Sequence, residues 1–378
     1  MGPLNGLKII EIAGIGPGPF CAMLLADLGA ELLRIERPAV RDIGVNLDTE
    51  FPVLHRGRVA ITLDLKQPEC VETVLDLCAN ADGLIEGNRP GVMEKLGLAP
   101  EACMARNPRL VYGRVTGWGQ TGPYAPLAGH DINYVAIAGA LFHSGGEDKP
   151  TPAMNLVGDF GAGGMLLAVG MLSALWEAAR SGKGQIVDAA MVDGAAMLMS
   201  MIYGLKALGQ WSTERNASLL DGGSHKYNVY ETADGRFLAV GCLEARFYQD
   251  FLRRLAIAPG EMGDYMNPDK WPVYRERLAK IFRGRTRREW EQVFQGSDAC
   301  VTPVLDLDEA PNDPHLRARE TFTTLDGVVQ PAPAPRFSRT ASEVRPGLRL
   351  DRNSAEALTA WGVSDARVSS LQALGIVE

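Results

Sequence analysis

Residues 7–37 read LKIIEIAGIGPGPFCAMLLADLGAELLRIER. The first eight, LKIIEIAG, are an apolar run closed by glycine, the pattern of a buried strand. A tight loop, IGPGP, follows, and FCAMLLADLGAEL then carries apolar residues at helical spacing. LLRIER is a second strand. Outward from this unit the alternation continues. Leu63–Leu65 is a third short apolar run, VETVLDLCANADGLIE (71–86) reads as helix then strand, and RLVYGRVTGWG (109–119) is a further strand ending in the turn-rich GQTGPYAPLAGH. Strand and helix in alternation predict a doubly wound α/β domain, a mostly parallel sheet with helices on both faces.

Downstream, Asp159 precedes a long helical segment, Phe160–Arg180, closed by Ser-Gly-Lys-Gly. QIVDAAMV is a strand leading into a single apolar helix, AAMLMSMIYGLKAL. Residues 206–225 are expected to be a polar, glycine-rich linker. YNVYETADGRFLAVG is a hairpin turning at Ala233-Asp234-Gly235, and two helical segments follow it. Residues 226–298 are therefore a small α+β domain, with 299–308 a return linker, 331–335 a proline-rich spacer and 352–376 C-terminal helices.

The chain has 378 residues, which at about 150 per domain suggests two domains. The balance of 38 basic and 46 acidic residues gives −8, which disfavours a general nucleic-acid binder. An anionic ligand must instead be met by a local arginine cluster. Cys21, Cys70, Cys78, Cys103, Cys242 and Cys300 include no C-x-x-C pair and read as buried free thiols in a reducing, cytoplasmic setting. The opening MGPLNGLKIIEIAG lacks the pattern of a signal peptide. Phe160–Trp176, the longest apolar run, is too short for a bilayer of about 20 residues and is expected to be a buried helix, so no membrane partner is expected.

The turn Gly14-Ile15-Gly16-Pro17-Gly18-Pro19 invites a dinucleotide reading, with Glu36 about 20 residues on. A pyrophosphate cradle needs backbone N–H donors, and Pro17 and Pro19 have none. The five histidines have no metal-ligand spacing, so no metal is expected, and neither a G-x-S-x-G elbow nor a Walker loop occurs. Two polar loops remain as acid–base candidates: Gly129-His130-Asp131-Ile132-Asn133-Tyr134 and Asn155-Leu156-Val157-Gly158-Asp159. Each has a structural alternative, Asp159 as a helix N-cap and His130 as a half-buried, satisfied histidine.

Several stretches together settle the resemblance: GPLNGLKIIEIAGIGPGPF with LADLGAELLRIERP, IEGNRPGVMEKLGL, RVTGWGQTGPYAPLAGHDINY, NLVGDFGAGGM, GKGQIVDAAMVDG, and DACVTPVLDLDEAP with APRFSRT. The chain resembles the class III CoA-transferase superfamily over nearly its whole length, and within it the α-methylacyl-CoA racemases. GHDINY resembles the racemase form of its loop, since transferases as a rule lack the histidine. The resemblance implies His130 and Asp159 as the catalytic pair, Glu244 as the small-domain carboxylate that orients the histidine, and Asn155 as support for the aspartate. It implies Arg37 and Arg89 as contacts to CoA phosphates. It further implies Leu63, Asp64, Leu65, Lys66, Gly87, Asn88, Gly129, Asp131 and Tyr134 as the rest of the CoA groove. It also implies that the C-terminal 309–378 completes a large domain built on 1–205, and that two copies form an interlocked homodimer.

The leading expectation is an isomerase that inverts the α-carbon of a 2-methylacyl-CoA by 1,1-proton transfer through an enolate, with CoA as part of the substrate and no separate cofactor. N–H groups at the helix start near Asp159 are the expected donors to the enolate oxygen. The runner-up is a transferase moving CoA between carboxylic acids with Asp159 as nucleophile. A third reading is an acyl-CoA-binding protein without catalysis.

Overall fold

The structure, a computed structural model, describes residues 2–38, 53–258, 260–346, 349–350 and 354–377. It divides into two compact units, one formed by Met1–Ala138, Met154–Leu198 and His315–Glu378, the other by Gly139–Ala153 and Met199–Pro314.

In chain order the first unit contains β1 (Lys8–Ile12), α1 (Pro17–Asp27), β2 (Glu31–Glu36), β3 (Arg58–Thr62), α2 (Pro68–Asn80) and β4 (Gly83–Glu86). These are followed by α3 (Val92–Lys95), α4 (Pro100–Arg106), β5 (Val111–Thr116) and α5 (Asp131–Ile137). A wide-turned π-helical segment, Leu156–Met165, runs directly into α6 (Leu166–Ser181), and β6 (Ile186–Ala190) and α7 (Met191–Leu198) follow. The second unit holds α8 (Ser200–Ala207), β7 (Tyr227–Glu231), β8 (Phe237–Gly241), α9 (Ala245–Arg254), α10 (Trp271–Phe282), α11 (Arg287–Phe294) and β9 (Val301–Pro303). The chain then continues through α12 (Pro314–Ala318), the hairpin β10 (Phe322–Leu325) and β11 (Val328–Pro331), β12 (Arg349–Leu350), α13 (Ser354–Ala360) and α14 (Asp365–Ala373).

Seven parallel strands lie in the order β12-β3-β2-β1-β4-β5-β6, so the expected doubly wound sheet is present. The strand order reverses between β1 and β4, the place where such sheets open a crevice at their carboxyl ends. Period-two alternation builds a core on each face. Ile10, Ile12, Leu33 and Ile35 pack with Leu75 of α2, Leu358 of α13 and Leu371 of α14. Ile9 and Leu32 pack on the other side with Cys21 and Leu25 of α1 and with Leu167 and Met171 of α6. Burial on both faces is why these strands read as unbroken apolar runs.

Charge is also buried in the sheet. Glu11 pairs with Arg34 and, at 2.7 Å, with Arg58. Arg58 also donates to the carbonyls of Leu54 and Pro19, which ties the network to the first turn of α1. This explains a difference from the sequence reading. The third strand is Arg58–Thr62 rather than Leu63–Leu65, because its first residue is an arginine hidden by ion pairing.

Three further expectations change. The apolar run after Asp159 is a 26-residue helix, Leu156–Ser181, long and apolar enough by composition to cross a membrane. One side of it faces the core while Met165, Val169 and Trp176 are exposed, so it is less buried than expected. The helix read across 195–208 is two helices, separated at Met199 where the chain changes unit. Residues 139–153, read with the large domain, group with the second unit. There Arg215 donates to the carbonyls of Phe142 and Gly146, and Arg275 pairs with Glu147 at 2.8 Å. Of the expected C-terminal stretch, 352 and 353 lie outside the described residues.

The second unit has its own core. The antiparallel sheet β7-β8-β9 is backed by an aromatic cluster of Tyr230, Tyr248, Phe251, Phe282, Trp290 and Phe294. Five of the six cysteines are buried as expected, whereas Cys300 is exposed.

Candidate active site

The segments singled out for CoA follow the carboxyl ends of parallel strands in the first unit. β2 leads into Arg37, β3 into Leu63–Lys66, and β4 into Gly87–Arg89. Arg37 Nη2 donates to Asn88 Oδ1 at 2.8 Å. The Asn88 N–H donates to Glu86 Oε2 at 2.6 Å, Glu86 Oε1 accepts from Arg114 Nε at 2.8 Å, and Arg114 Nη1 reaches Glu94 at 2.8 Å. This chain holds Arg37 from below, and Asn88 is its link. Burial pushes the Glu86 carboxyl above the usual carboxylate range, against the opposing pull of the Asn88 N–H and Arg114.

Leu63 and Leu65 spend their side chains in the core. Between them and Lys66, Asp64 Oδ1 accepts the Lys66 N–H at 3.1 Å and forms a tight turn that leaves Lys66 exposed. Gly87 and Arg89 are also exposed. This edge therefore offers Arg37, Lys66 and Arg89 to an anionic ligand, the residue chemistry that a pyrophosphate and a further phosphate require.

The acid–base candidates belong to the same unit. Asp159 lies three residues into the wide-turned segment, not at a helix N-cap as the sequence suggested. The run LVGDFGAGGM supplies four glycines, and such wide turns are frequent at functional sites. Asp131 Oδ2, buried, accepts the Asp159 N–H at 2.7 Å, and Asn155 Nδ2 donates to Asp159 Oδ2 at 3.3 Å. The Phe160 N–H donates to the Asn155 carbonyl. The N–H groups of Asp159 and Phe160 are thus committed, so these two are not among the helix-start donors expected for an enolate oxygen.

Burial raises the Asp159 carboxyl above its ordinary range and the Asp131 charge adds to this, while Asn155 and His130 oppose it. His130 is exposed at the head of α5, where Asn133 Oδ1 accepts its backbone N–H at 3.0 Å. Tyr134, one turn on, is buried edge-on against Trp118 with ring centroids 4.7 Å apart. Its phenol is pushed up to about 12 by burial first and by Asp159 and Asp131, with Arg89 opposing. Gly129 precedes His130 in the same loop.

Asp131 was read as a CoA contact, and its carboxylate is turned to the Asp159 backbone. Gly16 belongs to the tight loop after β1. Its φ is +66°, and a methyl group there would stand 3.2 Å from Asp159 Oδ2, so the turn after β1 also makes room for the aspartate. The signal was present as a glycine ahead of a proline, but nothing in the sequence pointed it toward residue 159. Glu244 stands in the second unit, exposed on the turn between β8 and α9.

The first unit thus combines an open parallel sheet, basic side chains along its carboxyl edge, and a loop histidine and half-buried aspartate in the same unit. The chain belongs to CoA-transferase family III, which it matches over residues 4–350. Within that family it is 41% identical over 382 residues to the α-methylacyl-CoA racemase of Mus musculus, covering 99% of this chain and 97% of the relative. The α-methylacyl-CoA racemase of Homo sapiens is 40% identical over 381 residues, with the same coverage. Among solved structures, a CAIB/BAIF family protein from Brucella suis superimposes with a TM-score of 0.79 at 26% identity, over 95% of this chain and 99% of that one.

Proposed function

We propose that the protein is a racemase of 2-methylacyl-CoA thioesters, an isomerase that inverts the carbon next to the thioester carbonyl. The observation that carries this reading is the hold on Asp159, half-buried with its N–H bonded to Asp131 and its carboxylate to Asn155, in the same unit as His130. Full-length identity to two α-methylacyl-CoA racemases supports it.

Inversion by deprotonation passes through a planar enolate. One group removes the proton from one face and a second returns a proton to the other, so the two must hold opposite protonation states. In this reading neutral His130 takes the proton from one epimer while protonated Asp159 supplies one, and the roles reverse for the other epimer. Asn155 and Asp131 hold Asp159 in place. Glu244 supplies the carboxylate that orients the imidazole. Arg37 and Arg89 bind the CoA phosphates, and CoA is substrate throughout, with no metal or redox cofactor in the scheme.

We also propose that two copies assemble as an interlocked homodimer in the cytoplasm and serve lipid metabolism. The exposed apolar side chains Met165, Val169, Trp176, Met197 and Leu198 of the first unit, and Met201, Tyr203 and Leu208 of the second, support self-association.

The family match alone also accommodates CoA transfer with Asp159 as nucleophile. One NMR experiment separates the two: acyl-CoA and enzyme in heavy water, with no added acid. Exchange of the α-proton is the expected result. Turnover that requires an added free carboxylic acid overturns the racemase reading.

A further inference from the structure

The second unit contains a buried lysine that the scheme above does not use. Lys226 is 1% exposed. Its Nζ donates to the Leu243 carbonyl at 2.7 Å, contacts Met266 Sδ at 3.2 Å, and sits 4.7 Å from the centroid of the Tyr265 ring. An ammonium without water needs such partners, because an uncompensated buried charge is strongly destabilising. The residue that accepts its strongest bond immediately precedes Glu244.

The rest of the dipeptide His225-Lys226 grips the same turn. The Lys226 carbonyl accepts from Cys242 Sγ at 3.8 Å. His225, fully buried, meets Tyr248 Oη through Nε2 at 2.9 Å, and the Tyr248 N–H donates to the Glu244 carbonyl at 2.9 Å. The Leu243 N–H closes on the Gly241 carbonyl at 3.0 Å. The turn from β8 to α9 is thus held on its inner side by a charged group and a neutral imidazole. Burial pushes the ammonium of Lys226 below its ordinary range, while Cys242 and the Glu244 carboxylate oppose this, so the lysine and Glu244 act on one another through space as well as through the backbone.

We propose that Lys226 is a positioning residue for Glu244: its ammonium fixes the Leu243 carbonyl and so the direction in which the turn presents the Glu244 carboxylate. The inference rests on the reading of Glu244 as the carboxylate that orients His130.

A double-mutant cycle tests it. Lys226→Met keeps most of the volume of the side chain without the charge. The expected result is a folded protein with kcat for racemisation reduced about tenfold and KM within about twofold of wild type, since phosphate binding is untouched. Glu244→Gln alone is expected to lower kcat by tenfold or more. In the Glu244→Gln background, Lys226→Met is expected to change kcat by less than about twofold, because both changes remove the same contribution. Multiplicative effects in the cycle, or an unchanged kcat for Lys226→Met, overturn the inference and leave the role of Glu244 standing. An unchanged kcat for Glu244→Gln overturns that role and this inference with it. Should Lys226→Met fail to fold, Tyr265→Leu removes the ring beneath the ammonium while keeping the lysine. It carries the same cycle, with an expected drop of about threefold that again vanishes in Glu244→Gln.

Discussion

Asp159 and Glu244 are both carboxylates assigned to one reaction, and the two units hold them by opposite means. Asp159 is half-buried under a glycine turn, with a second carboxylate, Asp131, bonded to its own backbone. Glu244 is exposed on a turn whose inner side is pinned by a lysine ammonium. In the proposed scheme the difference matches the work each group does. A group that must carry a proton near neutral pH needs desolvation and a like charge nearby, both of which favour its neutral form. A group that only orients a neighbour needs a fixed direction, which a stiff turn provides.

The sharpest way to break this comparison is to remove the proton carriers. His130→Ala and Asp159→Ala are each expected to lower racemisation at least ~10²-fold, and the double variant to be scarcely worse than the poorer single one, because the pair works as a unit. Steady-state racemisation by circular dichroism or chiral chromatography measures it, and near-normal turnover in His130→Ala would sink the two-group scheme. Binding is separable from proton transfer in the next pair. Arg37→Ala and Arg89→Ala are expected to raise KM roughly tenfold each with smaller changes in kcat, the loss of one charged hydrogen bond. An unchanged KM in both removes the proposed CoA edge.

Gly16→Ala tests whether the turn after β1 exists to make room for Asp159. The added methyl meets Asp159 Oδ2 at 3.2 Å in a backbone with φ of +66°. A roughly fivefold fall in kcat is expected, with a stability loss of about 1 kcal/mol. Loss of stability with unchanged kcat would reduce the glycine to a turn residue. The smallest effect is on stability alone. The folded-state Asp159 carboxyl binds its proton more tightly than the ordinary value of 3.8, so its ionisation disfavours the folded state, and stability is lost as pH rises from that value through the raised one. Asp159→Asn is therefore expected to melt slightly above wild type at neutral pH, with the gap closing as pH falls below 3.8. Calorimetry across that range showing a constant gap, or a lower melting point for the variant, contradicts the assigned proton affinity.

Much of the first unit was legible because its strands are buried on both faces and announce themselves as apolar runs. The strand that was misplaced, Arg58–Thr62, is the one whose first residue is a charge neutralised by Glu11, a residue 47 positions away in a chain that gives no sign of the pairing. His130 and Asp159 were visible as polar loops feeding apolar helices, and the resemblance assigned their roles. Their geometry was not visible. A helix that opens into wide turns at LVGDFGAGGM keeps helical periodicity loosely enough that Asp159 reads equally well as a cap. Lys226 gives no sign of its role in the sequence: a lysine directly after a polar, glycine-rich stretch reads as solvated, and three-dimensional contacts alone reveal that it is buried.

The path of the chain between the units also bears on its synthesis. The face of the first sheet carrying Ile10, Leu33 and Ile61 is covered in part by Ala355, Leu358, Trp361 and Leu371, residues translated after the whole of Met199–Pro314. The second unit has all its strands in hand before those covering helices leave the ribosome. While the last stretch is translated, the apolar face of the first sheet lacks those covering residues, and that interval is when chaperone capture or aggregation of this protein would be decided.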